Sequence, residues 1–321
     1  MSHIRIRRGW ELAEREATPE SSFLSRREFI KKFGLGSIGG ASVFAGADRA
    51  LAWLAATRTT SSAADLYPAK RNTKYALDRP LTDERFATRY NNFYEFTTDK
   101  PRVADLVGNF KTHPWTVEVT GMVAKPKTFD IDELLRLFPF EERLYRHRCV
   151  EAWAMAVPWT GFPMKAFIDY VQPTSKARFV RFVSFNKPDE APGMRTQSWY
   201  PWPYYEGLSL AEATNELAML VTGIYGHALP KQNGAPIRVV VPWKYGYKSI
   251  KSIVKIEFTD QQPKTFWNDI APNEYSFFSN VDPKVPHPRW SQAYERMIID
   301  GEHRPTLPYN GYGEFVAHLY V

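Results

Sequence analysis

Apolar residues alternate with polar ones over several short windows of this chain, and few windows carry a helical period. Trp115, Val117 and Val119 alternate with polar neighbours before Gly121, the spacing of a half-buried strand. The same period of two runs from Phe179 to Phe185, from Ile237 to Val241 and from Ile253 to Phe258. Asp130 precedes Leu134, Leu135 and Leu137 and reads as the cap of a short helix stopped by Pro139. Residues 210–220 fit a helix followed by a strand, with no boundary marked between them. Many short strands, few helices and 24 prolines predict an α+β domain built on mixed or antiparallel sheets. Residues 48–90, polar from 57 onward and broken by Pro68 and Pro80, predict an extended arm laid over a domain of residues 91–321. The aromatic-rich tail from 259 to 321 shows no period and predicts wrapping rather than an independent unit.

The first 47 residues read differently. Arg26 and Arg27 stand together in Ser25-Arg26-Arg27-Glu28-Phe29, just before an apolar, Gly-rich stretch from Phe33 to Ala47. That stretch is shorter than the roughly 20 apolar residues of a membrane span. It ends in small residues at Ala45-Gly46-Ala47 or Ala50-Leu51-Ala52. A twin-arginine export signal over 1–47 accounts for all three features, where an ordinary amphipathic helix accounts for none. Gly34-Leu35-Gly36-Ser37-Ile38-Gly39 matches the dinucleotide fingerprint in letters only, because a basic segment precedes it where that motif needs a strand. The leader also inflates the formal charge of +7: it holds eight Lys or Arg against five Asp or Glu, leaving an excess of about four elsewhere. No basic stripe of the kind that reads nucleic acid is present.

Cys149 is the single cysteine, in Arg146-His147-Arg148-Cys149-Val150-Glu151-Ala152-Trp153. Exported proteins use cysteine mostly in disulfides, and one thiol cannot pair within its own chain. Its neighbours Arg146, His147 and Arg148 predict a thiolate with a pKa lowered from about 8.5 toward neutrality, a nucleophile or soft metal ligand. The bland alternative is a buried small hydrophobe. No Cys-x-x-Cys, His-Glu-x-x-His, EF-hand or Ser-centred elbow accompanies it, which leaves a cofactor that needs one protein ligand. Folding before export suits such a cofactor.

Two further segments are dense in polar and aromatic groups: Tyr90-Asn91-Asn92-Phe93-Tyr94-Glu95-Phe96, and Gln232-Asn233-Gly234-Ala235-Pro236-Ile237-Arg238 with Pro242-Trp243-Lys244-Tyr245-Gly246-Tyr247-Lys248-Ser249-Ile250-Lys251-Ser252. The second pair joins an Asn-Gly turn, an arginine entering a strand and a glycine followed by lysines, which suits a phosphate or a solvated loop. These segments, in this order, with Arg-Cys-Val-Glu-Ala-Trp and His287-Pro288-Arg289-Trp290-Ser291-Gln292, resemble the catalytic subunits of bacterial periplasmic protein-methionine-sulfoxide reductases. Those are molybdopterin enzymes of the sulfite oxidase fold group, and the resemblance covers roughly residues 88–315 and the leader.

The resemblance implies a sulfite oxidase-type fold of mixed sheets and short helices, without the further immunoglobulin-like dimerisation domain or a haem domain. It places the molybdenum ligand on Cys149 and the pterin contacts on Asn91, Tyr94, Glu95, Ser184, Asn233, Arg238, Ser249, Ile250 and Lys251. It implies a molybdenum–molybdopterin cofactor, oxidised periplasmic proteins as substrates and a haem-b membrane subunit as electron donor. His147 has no role carried over, and Pro192–Pro203 is expected at the substrate entrance. A sulfite dehydrogenase-like oxidation and a cofactor-free exported binding protein remain the alternatives.

Overall fold

The computed structural model describes residues 66–321. The export signal and the first part of the arm lie outside the described residues. Among the described residues the first six strands are β1 (Thr116–Gly121), β2 (Lys127–Asp130), β3 (Glu141–Arg148), β4 (Trp153–Pro163), β5 (Phe179–Ser184) and β6 (Tyr205–Ser209). β7 (Met219–Ile224), β8 (His227–Ala228), β9 (Arg238–Val240), β10 (Ile253–Thr259), β11 (Tyr294–Met297) and β12 (His303–Pro305) follow.

They form two sheets with short helices between them, an α+β arrangement. The smaller runs β2-β1-β10-β5-β6. β10 lies at its centre, parallel to β1 and antiparallel to β5, so the sheet is mixed. β1 and β5 bury alternate residues, as their period of two requires. The larger sheet runs β12-β11-β4-β7-β8, with β3 on β4 and β9 on β7. β4 is its spine: eleven residues, nearly all buried, because both of its faces are covered. A bulge at Thr160/Gly161 marks its pairing with β7, and there a Cβ on Gly161 would stand 2.1 Å from the Leu220 carbonyl.

Local signals explain where elements begin and end. The Asp130 side chain accepts the Asp132 amide at 2.9 Å, and the helix Ile131–Leu137 stops before Pro139. Residues 210–220 divide into a helix Leu210–Ala213, fixed by a capping box between Ser209 and Glu212, and β7 from Met219. Between 66 and 90 the chain lies along β3 and β4, with the Arg71 side chain on Glu142 at 2.7 Å and the Thr82 amide on the Ala156 carbonyl at 2.9 Å.

The tail departs from the expectation of irregular wrapping. It supplies β11 and β12, and β11 pairs parallel with β4. Its buried residue is a charged one, Glu295, matched by Arg79 at 2.6 Å, so no apolar alternation marks the strand in sequence. β3 escapes notice for the same reason, its inward positions being filled by arginines. On one face Arg146 meets Asp78 at 2.8 Å and Arg148 meets Gln292 at 2.8 Å; on the other Arg143 reaches the Glu216 carbonyl at 2.6 Å.

The chain crosses from the larger sheet to the smaller between β9 and β10. That crossing carries the Pro242–Ser252 segment, closed by the Val239 amide on the Ile250 carbonyl at 2.9 Å. Two of its lysines are structural. Lys244 is buried against Glu212 and donates to the Phe278 carbonyl at 2.8 Å; Lys248 is buried against Glu206 at 2.6 Å. Removing one partner of a buried pair strands the other charge. Lys244→Ala is therefore expected to destabilise the fold by about 3–5 kcal/mol, and Lys244→Met with Glu212→Leu by much less, as chemical denaturation would show.

Candidate functional site

β3 and β4 are joined by the turn that carries Cys149. The Cys149 amide donates to the Trp153 carbonyl at 2.9 Å, the Ala152 amide donates back to Cys149 at 3.0 Å, and Ala152 takes a left-handed φ of 67°. Arg148 donates to the Cys149 carbonyl, while Trp290 and Gln292 donate to the Val150 carbonyl at 2.8 and 2.7 Å. Two donors face the sulfur: Asn92 Nδ2 at 3.3 Å and the Glu151 amide at 3.4 Å. Neither its position nor its orientation is left to chance.

This turn, residues 91–95 and the β9–β10 crossing enclose one cleft. Asn91, Tyr94, Glu95, Asn233, Arg238, Ser249, Ile250 and Lys251 line it together with Cys149. Phe93 and Phe96 point into an aromatic cluster with Phe110, Trp115 and Phe185, which anchors the first segment while Tyr94 and Glu95 face the cleft. Ser184 lies behind the wall: its hydroxyl donates to the Lys251 carbonyl at 2.9 Å and buttresses the crossing from outside. The structure adds residues that the sequence reading left out or open: Asn92, His147, Glu151, Trp153, Tyr204, Tyr247, Trp267 and Tyr275 also line the cleft. Glu151 stands two residues from the cysteine, and that spacing was the available signal. Of the Pro192–Pro203 segment, Tyr200 backs the wall by packing on Tyr94 and Trp267, and Trp199 stands out 71% exposed.

The expected activation of the thiol by its basic neighbours is not what the structure gives. Burial, and then the Glu151 carboxylate, push the Cys149 thiol up to about 12. The strand period explains this: Arg146 and Arg148 turn to the far face of β3, and only His147 shares the cleft side. His147 itself is held neutral, its pKa lowered to about 3 by burial and by Arg238 and Lys251.

Two buried basic groups without a carboxylate at salt-bridge distance among the described residues lie elsewhere in the cleft. Arg238 donates to the carbonyls of Asn233 at 2.8 Å and Ser249 at 3.0 Å, and burial lowers it to about 9. Lys251 donates to the Asn92 carbonyl at 2.7 Å; burial, then Arg238, hold its pKa down, while burial holds that of Glu95 up. The buried oxygens of Asn92 and Asn233 accept no hydrogen bond among the described residues. Gly234 lies at φ 101°, where any Cβ would meet Lys251 at 2.8 Å. The result is a pocket with two buried basic groups next to a single thiol.

Comparison with known proteins decides the family. The oxidoreductase molybdopterin-binding domain matches residues 104–267. The catalytic subunit MsrP of a protein-methionine-sulfoxide reductase from Burkholderia mallei (strain ATCC 23344) is 49% identical over 316 residues, 97% of this chain and 94% of its own. This chain belongs to the molybdopterin-binding oxidoreductases, among their protein-methionine-sulfoxide reductase catalytic subunits. Among solved structures, the sulfane dehydrogenase SoxCD from Paracoccus pantotrophus superposes with a TM-score of 0.41 at 17% identity, over 61% of this chain. The chain spans 45% of that one.

A molybdopterin fits the residues that line the cleft. Its phosphate would complete two buried cations that lack a carboxylate at salt-bridge distance among the described residues, and its polar ring would meet the open Asn oxygens. In the cofactor-free chain, Cys149 is expected to react with iodoacetamide at pH 7.5 roughly a hundredfold more slowly than free cysteine. The alkylation rate should keep rising past pH 10, because the thiol titrates at about 12. A plateau near neutral pH would show the thiol to be activated by its neighbours after all.

Proposed function

We propose that this protein is a periplasmic, molybdenum-dependent reductase that removes oxygen from methionine sulfoxide residues in proteins. The observation that carries the reading is the pairing of one positioned thiol with two buried basic side chains that lack a carboxylate at salt-bridge distance among the described residues, all in one cleft. Soft thiolate ligation suits a thiophilic redox metal. When bound, the molybdenum–pterin group supplies two-electron redox and oxygen-atom transfer, chemistry that no side chain here can supply.

The chain's own residues bind, orient and protonate. Cys149 Sγ would be the single protein ligand, and binding the metal must displace its proton. Arg238 and Lys251 would hold the phosphate, with Asn91, Asn233 and the Ser249–Lys251 segment around it; Ser184 fixes that segment from behind. At the mouth, burial raises the hydroxyls of Tyr94 and Tyr275, so both remain protonated donors for a sulfoxide oxygen. Glu151 is held as a carboxylate by Asn92 at 2.9 Å and Lys100 at 3.0 Å, and faces the same space. The Glu151 carboxylate in this wall disfavours the alternative of sulfite oxidation, since it repels a dianion. Methionine sulfoxide is a reversible lesion, and its reduction restores an apolar side chain.

Reducing equivalents come from another protein in this reading. The sequence has one cysteine and no haem-attachment or iron–sulfur spacing, and a haem-b membrane subunit is the proposed donor. No helix among the described residues is long and apolar enough to cross a membrane, so the proposal places docking at the membrane's periplasmic face after twin-arginine export.

Cys149→Ser is expected to abolish reduction of methionine sulfoxide with an artificial reductant while the chain still folds, since a hydroxyl is a poor soft-metal ligand of similar volume. Turnover near the wild-type rate would refute the ligand assignment. Arg238→Ala and Lys251→Ala should each weaken cofactor retention by about 1.5–3 kcal/mol, read as molybdenum and pterin content after purification. Full content with lost turnover would make these residues part of the chemistry instead of the anchor.

A further inference from the structure

A second groove adjoins the cleft. Val150, Tyr247 and Tyr275 line both, and the groove runs between residues 272–288 and Pro308–Tyr309. The two share the residue that follows the cysteine, so whatever occupies the groove lies alongside the reacting centre.

The groove is open, with apolar side chains at its rim among polar ones, and it is fixed at its base. Val285 is 63% exposed and Phe278 44%, and Pro272, Pro286, Pro288 and Pro308 stand beside them. Its base is a stack of His287 on Trp290, 3.7 Å apart with 8° between the rings. Trp290 and Gln292 are the side chains that hold the Val150 carbonyl. Next to Asp282, the Tyr245 hydroxyl is buried and lacks a hydrogen bond of full geometry. Exposed apolar side chains beside polar ones suit a binding site; Glu274 and Asp282 are the acidic residues of the lining, and no lysine or arginine lines it among the described residues.

Geometry selects the occupant. A methionine sulfoxide that reaches into the cleft leaves its backbone at the mouth, and the chain to one side must follow the surface away from it. The groove lies next to that point, since Tyr275 lines both cleft and groove. Prolines and Val285 offer an extended chain apolar contact without selecting its sequence, and the Asn273 amide beside them can pair with its backbone, which suits a chain whose side chains point alternately in and out.

We propose that this groove receives, in extended form, the polypeptide flanking the oxidised methionine. The inference rests on the reading that the cleft reduces methionine sulfoxide in proteins, and it assigns the surface that recognises the protein part of the substrate.

The test uses the loaded enzyme and two substrates: N-acetyl-methionine sulfoxide amide, and a nonapeptide with a central methionine sulfoxide. A fluorescent nonapeptide carrying methionine sulfone, which cannot be reduced, reports binding by anisotropy. The wild-type nonapeptide is expected to exceed the amide by about tenfold or more in kcat/KM, through KM. Val285→Trp, at an exposed position that tolerates bulk without entering the core, should bring that ratio down to about one. Asn273→Trp should do the same independently, and both should weaken sulfone-peptide binding by a similar factor. A wild-type ratio near one, or variants that keep both the ratio and the binding, would overturn the groove. If neither substrate is reduced, the proposed activity fails, and anisotropy still decides: binding lost in the variants supports the groove, and binding unchanged refutes it.

Discussion

Positive charge buried without a carboxylate at salt-bridge distance is the constraint around which this structure is arranged. Moving an ion from water into a protein interior costs several kcal/mol even after relaxation. Arg238 and Lys251 bear that cost with backbone carbonyls as their partners and Glu95 as a carboxyl whose own charge burial suppresses. An anionic cofactor bound there would offset that cost beside the thiol.

The neighbouring lysines show the contrast. Lys244 and Lys248 stand within seven residues of Lys251 but are neutralised in the interior by Glu212 and Glu206. They lock the β9–β10 crossing onto the rest of the molecule, so that the free cations have a rigid base. Tyr204 ties the second pair to the cleft, its hydroxyl reaching Glu206 at 3.1 Å and the Tyr247 carbonyl at 2.9 Å. The crossing thus gives one strand-to-strand connection two functions, one structural and one chemical.

The cysteine turn follows the same economy of position. Arg148 donates to the Cys149 carbonyl, and the same guanidinium reaches Gln292, the Tyr294 carbonyl and Thr306, gathering the tail onto β3. Because Gln292 also holds Val150, the tail sets the sulfur's position from outside the cleft. Basic residues flanking Cys149 therefore act on its geometry. Their effect on its charge is overridden by burial.

The sequence by itself determined the α+β class, the strands with a clean period of two, the capped helix at Ile131–Leu137, and the three segments that meet in the cleft. Each of these depends on local chemistry: alternation, a cap, a turn, a motif of fixed spacing. What needed the tertiary structure was every feature in which one segment answers another. β3 and β11 bury Arg146 and Glu295, whose partners Asp78 and Arg79 lie 68 or more residues away, so their patterns read as surface until those partners are in place. Which lysine is free, which way Arg148 turns, and that Ser184 braces the cleft from behind were decided in the same way. Charge and direction inside a protein belong to pairs of residues, and a linear pattern records only one member of each pair.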